Sequence, residues 1–251
     1  MIWIILLIAV IIGIVEFLAP LQPLEKVPLW RTRVGAVNVA QAAIVLAGGL
    51  TWDNWFQSLS LFSFGRDMHP ALAGFLAWLM FTFLFYWWHR LRHESLFCWR
   101  VFHQLHHSAS RIEVITSFYK HPIEILANSL IGAKVAYGVL GMSPESGALL
   151  MLYSAVSEFF YHMNIATPRW VGFFIQRPEM HRVHHERGRH CKNYSDLPIW
   201  DLMFGTYEKP KTFSGKCGFT LDREMKFKEM IAFQKIGIEK KKIFEVRSHE
   251  N

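Results

Sequence analysis

The run ALAGFLAWLMFTFLFYWWHRLRH, residues 71–93, decides how this chain is read. From Ala71 to Trp88 it carries no charge and approaches the roughly twenty residues a helix needs to cross the hydrocarbon of a bilayer. The run closes on Tyr86, Trp87 and Trp88, an aromatic cluster of the kind that sits at a headgroup boundary. Without a break it then delivers His89 and His93, four residues apart and so on one helical face.

The composition agrees with a membrane setting. Of 251 residues, 52% are hydrophobic, more than a soluble domain of this length ordinarily carries. Lys and Arg exceed Asp and Glu by seven. The excess sits in clusters between apolar runs, which argues for basic loops beside a membrane and against a nucleic-acid binder. Cys98, Cys191 and Cys217 form no CxxC and no disulfide framework, and fit a reducing compartment.

Outward from residues 71–93, Met1 to Ala19 is apolar apart from Glu16. It lacks the basic start and small-residue cleavage site of a signal peptide, and reads as a retained membrane helix. A Pro-punctuated loop with Lys26, Arg31 and Arg33 follows, then a weaker span, Val34–Leu50, and an aromatic loop, Thr51–Pro70. Ile123–Leu140 and Gly147–Phe160 form a hairpin that either crosses or re-enters the bilayer, turning at Met142–Glu145. The expected fold is an all-α integral membrane protein of about four to five membrane helices with a histidine-rich helical cap. The loop before Ala71 has only Arg66, whereas Arg90, Arg92, Arg100 and Arg111 follow Trp88. By the excess of Lys and Arg in cytoplasmic loops, the first loop and the cap face the cytoplasm. Three spans and the hairpin return Tyr161 to that same side.

Two further segments, HQLHH (His103–His107) and HRVHH (His181–His185), repeat the spacing i, i+3, i+4. On helices, His103, His106 and His107 share a face, as do His181, His184 and His185. With His89 and His93 they place eight imidazoles on one side of the membrane. A closed zinc site takes four ligands, usually including Cys, so this set suits two metals with room for water or oxygen. Imidazole accepts zinc, iron, copper or nickel, and the ligands alone do not name the metal. A lone histidine is ordinarily a satisfied core or surface residue; the specificity lies in three motifs in succession. HExxH, GxSxG, Walker A and GxGxxG motifs are absent from the sequence.

These segments resemble the fatty acid hydroxylase/sterol desaturase superfamily. The resemblance covers about Phe81 to Tyr207, through YWWHRLRHE (Tyr86–Glu94), WRVFHQLHHS (Trp99–Ser108), KHPIE (Lys120–Glu124), FFYHMN (Phe159–Asn164), PEMHRVHH (Pro178–His185) and NYSDLPIWDLMFGTY (Asn193–Tyr207). It implies two Fe ions held by a histidine cap, with zinc as a substitute in purified protein. O2 is the implied co-substrate, for hydroxylating or desaturating a lipid C–H bond. It adds His162, after the hairpin, to the ligand set. His121, Asn164, Asn193 and Asp196 are then candidates for the outer residues that fix each ring and tune the metal. His190 is ambiguous, His69 lies on the far side, and His249 reads as solvated. Asp201 either supports the site or caps a helix. Trp200, Phe204 and Tyr207 pack the cap onto the helices.

The expected organisation is 1–70 as N-terminal membrane helices and loops, 71–210 as a di-iron hydroxylase/desaturase domain, and 211–251 as a basic cytosolic tail. A lipid would enter sideways from the bilayer, with Phe81, Phe83, Leu84 and Phe85 as candidate lining. No HPGG haem signature or flavin fingerprint occurs. The expected electron donor is therefore a separate ferredoxin, cytochrome b5 or reductase, docked on a basic surface. Lys226, Lys228 and Lys240 to Lys242 more simply meet anionic headgroups. Hydroxylation is favoured over desaturation, and a bacterial inner membrane over the endoplasmic reticulum. Readings from other classes are a membrane metal-binding or transport protein, or a zinc-dependent lipid hydrolase with Glu94, Glu158 or Glu186 as base.

Overall fold

The computed structural model describes residues 2–65 and 67–236, and among them every regular element is helical. Helix α1 (Ile2–Leu18) is the first apolar run. Its one charge has a purpose. Glu16 Oε1 accepts the Val114 N–H at 2.7 Å and the Asn164 N–H at 2.6 Å, tying α1 to the cap. Helix α2 (Trp30–Leu50) starts earlier than Val34, because Trp30, Val34 and Val37 form one buried stripe. Helix α3 (Trp52–Ser58) occupies part of the stretch expected to be loop, and Trp52 Nε1 donates to Ser129 Oγ at 3.2 Å.

Helix α4 (Pro70–Glu94) has Pro at its first position, where the missing N–H costs nothing, and His69 caps it by accepting the Ala71 N–H at 3.3 Å. That places His69 at the opposite end of the helix from His89 and His93. At 25 residues, α4 is about 37 Å long, enough to cross a bilayer and emerge. Among the described residues, the stretch Trp30–Ser58 and α4 are the two helices long and apolar enough to span a membrane; α1 is apolar but shorter.

A short α5 (Leu96–Cys98) leads through a π-helical turn, Trp99–His103, into α6 (Gln104–Ser108). The expected hairpin is α7 (Pro122–Ala133), which runs on through a second π-helical turn, Lys134–Val139, and α8 (Pro144–His162). Helix α4 packs along α8. A Cβ on Gly74 would lie 2.9 Å from the Ser146 carbonyl oxygen, so this close approach requires glycine. The cap is completed by α9 (Pro178–His184), α10 (Pro198–Met203), α11 (Leu221–Glu224) and α12 (Phe227–Ile231).

Two expectations change. Tyr86 and Trp88 are not an interfacial belt. Tyr86 is fully buried, stacked on Phe204 at 5.2 Å, and Trp88 Nε1 donates to Asn128 Oδ1 at 2.8 Å; only Trp87 is exposed. Residues 211–236, the described part of the expected basic tail, pack onto the cap. Phe219, Met230 and Ile236 join Trp30, Trp99, Leu105 and Tyr119 in one apolar core that clamps the cap to the start of α2. Arg66, Lys240 to Lys242 and His249 lie outside the described residues.

Candidate metal centre

Five elements bring nine histidines together: α4 (His89, His93), the π-helical turn with α6 (His103, His106, His107), the end of α8 (His162) and α9 with its C-cap (His181, His184, His185). They form two groups. His89, His93, His103, His107 and His184 offer nitrogens within 4.8 Å of one another, and so do His106, His162, His181 and His185. Each HxxHH triplet is therefore divided. His103 and His107 serve the five-histidine group while His106 turns to the other, and His181 and His185 serve the four-histidine group while His184 turns back. The single helical face expected for each triplet becomes two flanks of one ridge. The stacked rings of His107 and His185, 4.1 Å apart, form the seam.

The donor chemistry fits metal ions. The Nε2 atoms of His89, His103, His107 and His184 are buried with no hydrogen-bond partner, a costly arrangement unless an ion takes their lone pairs. In the second group Nε2 atoms converge: His162 lies 3.3 Å from His106 and 3.0 Å from His181, and His185 lies 3.0 Å from His181. Burial, reinforced by neighbouring imidazoles and cations, holds His103, His106, His107, His181 and His185 well below the ordinary histidine range. Burial takes His184 down to about 3. The rings are thus neutral at physiological pH, as ligation requires.

The Nδ1 atoms are held by an outer layer of acceptors. His89 Nδ1 donates to the Tyr194 carbonyl at 2.6 Å, His184 Nδ1 to that of Lys192 at 2.7 Å, His162 Nδ1 to that of Glu158 at 2.8 Å, and His106 Nδ1 to that of Tyr119 at 3.3 Å. Two of these carbonyls come from the loop 186–197, in which His190, Lys192 and Asn193 have positive φ. Asn193 pins that loop. Its Nδ2 donates to the carbonyls of Met180 (3.0 Å) and Glu208 (2.9 Å), and its Oδ1 accepts the Glu208 N–H at 2.8 Å. Asp201 accepts the N–H groups of Tyr194 and Ser195 at 2.8 and 3.0 Å, so it supports the loop. Burial pushes its carboxyl up to about 6.

Other sequence candidates fall into place or out of it. Asp196 hydrogen-bonds Tyr161, whose ring lies 4.5 Å from His181, and burial pushes Asp196 up to about 7. Asn164 accepts from Arg182 Nη2 at 2.7 Å and bonds the Gln22 backbone, so it joins α9 to the loop after α1. His121 caps α7 by accepting the Ile123 N–H and lies 3.2 Å from the Ile231 carbonyl; its ring faces the C-terminal core. The residue of KHPIE that reaches the centre is Glu124, 3.0 Å from His103 Nδ1, which sequence reasoning missed. His190 also enters, with its Nδ1 3.0 Å from His107 Nδ1.

A cavity of about 50 Å³ opens against both groups. Phe81 and Phe85 of α4 line it, with Asn128 and Ser154. Phe83 instead packs on Trp200 at 4.9 Å, and Leu84 is exposed, so these two expected lining residues do not contribute. Polar groups face the same space: Lys120, held by both oxygens of Glu158 at 2.6 Å, and Asp196.

Fold and site together define an all-helical protein with helices of membrane-crossing length and a buried, two-centred histidine cap. The model of the fatty acid hydroxylase family matches residues 74–206, more than half of the chain, and the chain belongs to that family, within the fatty acid hydroxylase/sterol desaturase superfamily. It is 31% identical over 161 residues to the alkylglycerol monooxygenase of Homo sapiens, covering 62% of this chain and 34% of that protein. It is 29% identical over 147 residues to the sphingolipid C4-hydroxylase sur2 of Schizosaccharomyces pombe, covering 57% and 50%. It is 32% identical over 152 residues to the ornithine lipid hydroxylase OlsE of Rhizobium tropici, covering 59% and 45%. The alignments thus span between about a third and a half of the length of these relatives. No solved structure matches.

Proposed function

We propose that this chain is a membrane-bound di-iron monooxygenase that hydroxylates an aliphatic C–H bond of a lipid. The observation that carries the reading is the pair of adjacent imidazole groups, with buried unpartnered nitrogens, opening on one cavity. The five- and four-histidine groups would each hold one iron, and such a pair would supply the reductive activation of O2 that redox-silent zinc does not. The balance is one C–H bond, O2, two electrons and two protons giving an alcohol and water. Everything else falls to the side chains. The outer carbonyls keep the ligand rings in register. Phe81 and Phe85 hold the alkyl segment and exclude water, while Lys120, Glu158 and Asp196 give the cavity a polar wall. The names of the three relatives, all acting on lipids, support a lipid substrate here.

The electrons come from a separate ferredoxin, cytochrome b5 or reductase docking on the cap. The cap faces the cytoplasm, as the clustered Lys and Arg beside the first loop and after α4 indicate. The hydrolase alternative needs a free carboxylate base. Glu94 pairs with Arg90 at 2.7 Å, Glu158 with Lys120 at 2.6 Å and Glu186 with Arg189 at 3.3 Å, which weighs against it.

The test is metal analysis of detergent-purified protein from iron-supplemented cells, followed by incubation with lipid extract, reductant and ¹⁸O2. The expected result is two irons per chain, one for each imidazole group, and a lipid product carrying one labelled oxygen. A tightly bound zinc with no O2 consumption after anaerobic iron reconstitution would overturn the reading.

A further inference from the structure

The Nδ1 contacts of the ligand rings run to carbonyls or to another imidazole, with His103 as the exception among the described residues. Its Nδ1 lies 3.0 Å from Glu124 Oε1 and 3.3 Å from Arg92 Nη1. The three side chains are buried together, at 1%, 0% and 4% exposure for His103, Glu124 and Arg92. Arg92 Nη1 also pairs with Glu124 Oε1, and its guanidinium lies over the Trp88 ring at 5.4 Å. Glu124 Oε2 makes no hydrogen bond among the described residues, so both interactions converge on a single oxygen.

Two neighbours of opposite character thus compete for one ring nitrogen. A guanidinium can only donate, and a carboxylate accepts. An imidazole that gives its Nδ1 proton to the carboxylate has a free lone pair on Nε2. An imidazole that accepts from the guanidinium at Nδ1 carries its proton on Nε2 and cannot ligate through it. His103 Nε2 is the atom left buried and unpartnered in the five-histidine group. Glu124 occupies the third residue of α7, where the positive end of the helix favours a carboxylate.

We propose that Glu124 is a positioning residue. By accepting the Nδ1 proton of His103 and engaging Arg92, it holds the ring in the tautomer that presents Nε2 to a metal, and it blocks the tautomer that Arg92 alone would impose. This rests on the reading of the five-histidine group as a metal centre.

The experiment is Co(II) titration of the metal-free full-length protein in detergent, following the visible ligand-field bands and chelator competition. The variants are Glu124→Leu, the pair Arg92→Met/Glu124→Leu, and His103→Ala. With the acceptor gone and the competing donor retained, Glu124→Leu should hold one of two Co(II) ions about 10- to 100-fold more weakly, the usual consequence of losing an outer partner. The pair, which removes both competitors and leaves no unpaired buried charge, should recover most of that loss. Wild-type affinity in Glu124→Leu overturns the proposal, and so does a pair no better than Glu124→Leu. If Glu124→Leu does not fold, the pair alone decides. Affinity within about tenfold of wild type supports the proposal, and loss as deep as in His103→Ala overturns it. If His103→Ala itself keeps both ions at wild-type affinity, the metal reading of the group fails, an outcome distinct from failure of the tautomer argument.

Discussion

His106 and His184 are the rings that cross over. Each belongs by sequence to one triplet and by position to the other triplet's group. Their removal should therefore be separable. His106→Ala should lower metal in the four-histidine group and His184→Ala in the five-histidine group, each abolishing turnover, as metal analysis and O2 consumption would show. Full activity in His106→Ala would sink the assignment. The loop behind them sets a second expectation. Asn193, itself fully buried, makes three side-chain hydrogen bonds at φ 49°, so Asn193→Ala should cost about 3 kcal/mol, visible as a lower melting temperature. Eight of the nine clustered histidines stand out in the sequence by the spacing of three successive motifs, whereas His162 belongs to no such motif and enters only through the family resemblance. The division between two groups was not legible, because spacing gives a face but not its partners. In KHPIE the imidazole drew attention as a familiar ligand type. The backbone instead uses His121 as a cap and turns Glu124 inward.

At the scale of elements, the π-helical turn Trp99–His103 is the feature that hydropathy patterns cannot announce. It inserts an extra residue where the triplet begins, at His103, and sets the direction in which α6 presents His106 and His107. Deleting Val101 should restore α-helical winding and rotate the triplet by about 100° against the preceding segment. The expected outcome is loss of metal from both groups with the far-UV helical signal preserved; retained metal would show that the turn is incidental. Helices α1, α2, α4, α7 and α8 were visible as apolar runs between Pro and Gly signals. The fate of Tyr86 and Trp88 was not. An aromatic cluster at the end of a span looks alike whether it faces headgroups or, as here, Phe204 and Asn128. The short helices after His185 carry too few residues for a period to show.

The whole molecule stores a pH dependence in its buried imidazoles. Burial holds His184 and His190 near 3, whereas unfolded histidine titrates near 6.5. In metal-free protein the unfolded state gains protons first as pH falls. Stability is thus complete above about pH 6.5 and declines below it, by about 1.4 kcal/mol per pH unit for each such ring. Thermal melts of chelator-treated protein between pH 8 and pH 5 would check this; a melting temperature flat across that range would refute it.

The apolar clamp that joins Trp30 and Trp99 to Phe219, Met230 and Ile236 carries a consequence for biosynthesis. The ribosome makes α1 to α4 first, and these can enter the bilayer while the last histidines are still untranslated. The wall that seals the cap is made only after His185. Until residues 219–236 emerge and dock, the core that packs Trp99 and Leu105 beside the histidines of α6 would be incomplete. On the proposed metal-binding reading, loading would then follow insertion, and the metal supply at the moment the C-terminal segment docks would decide which ion is enclosed.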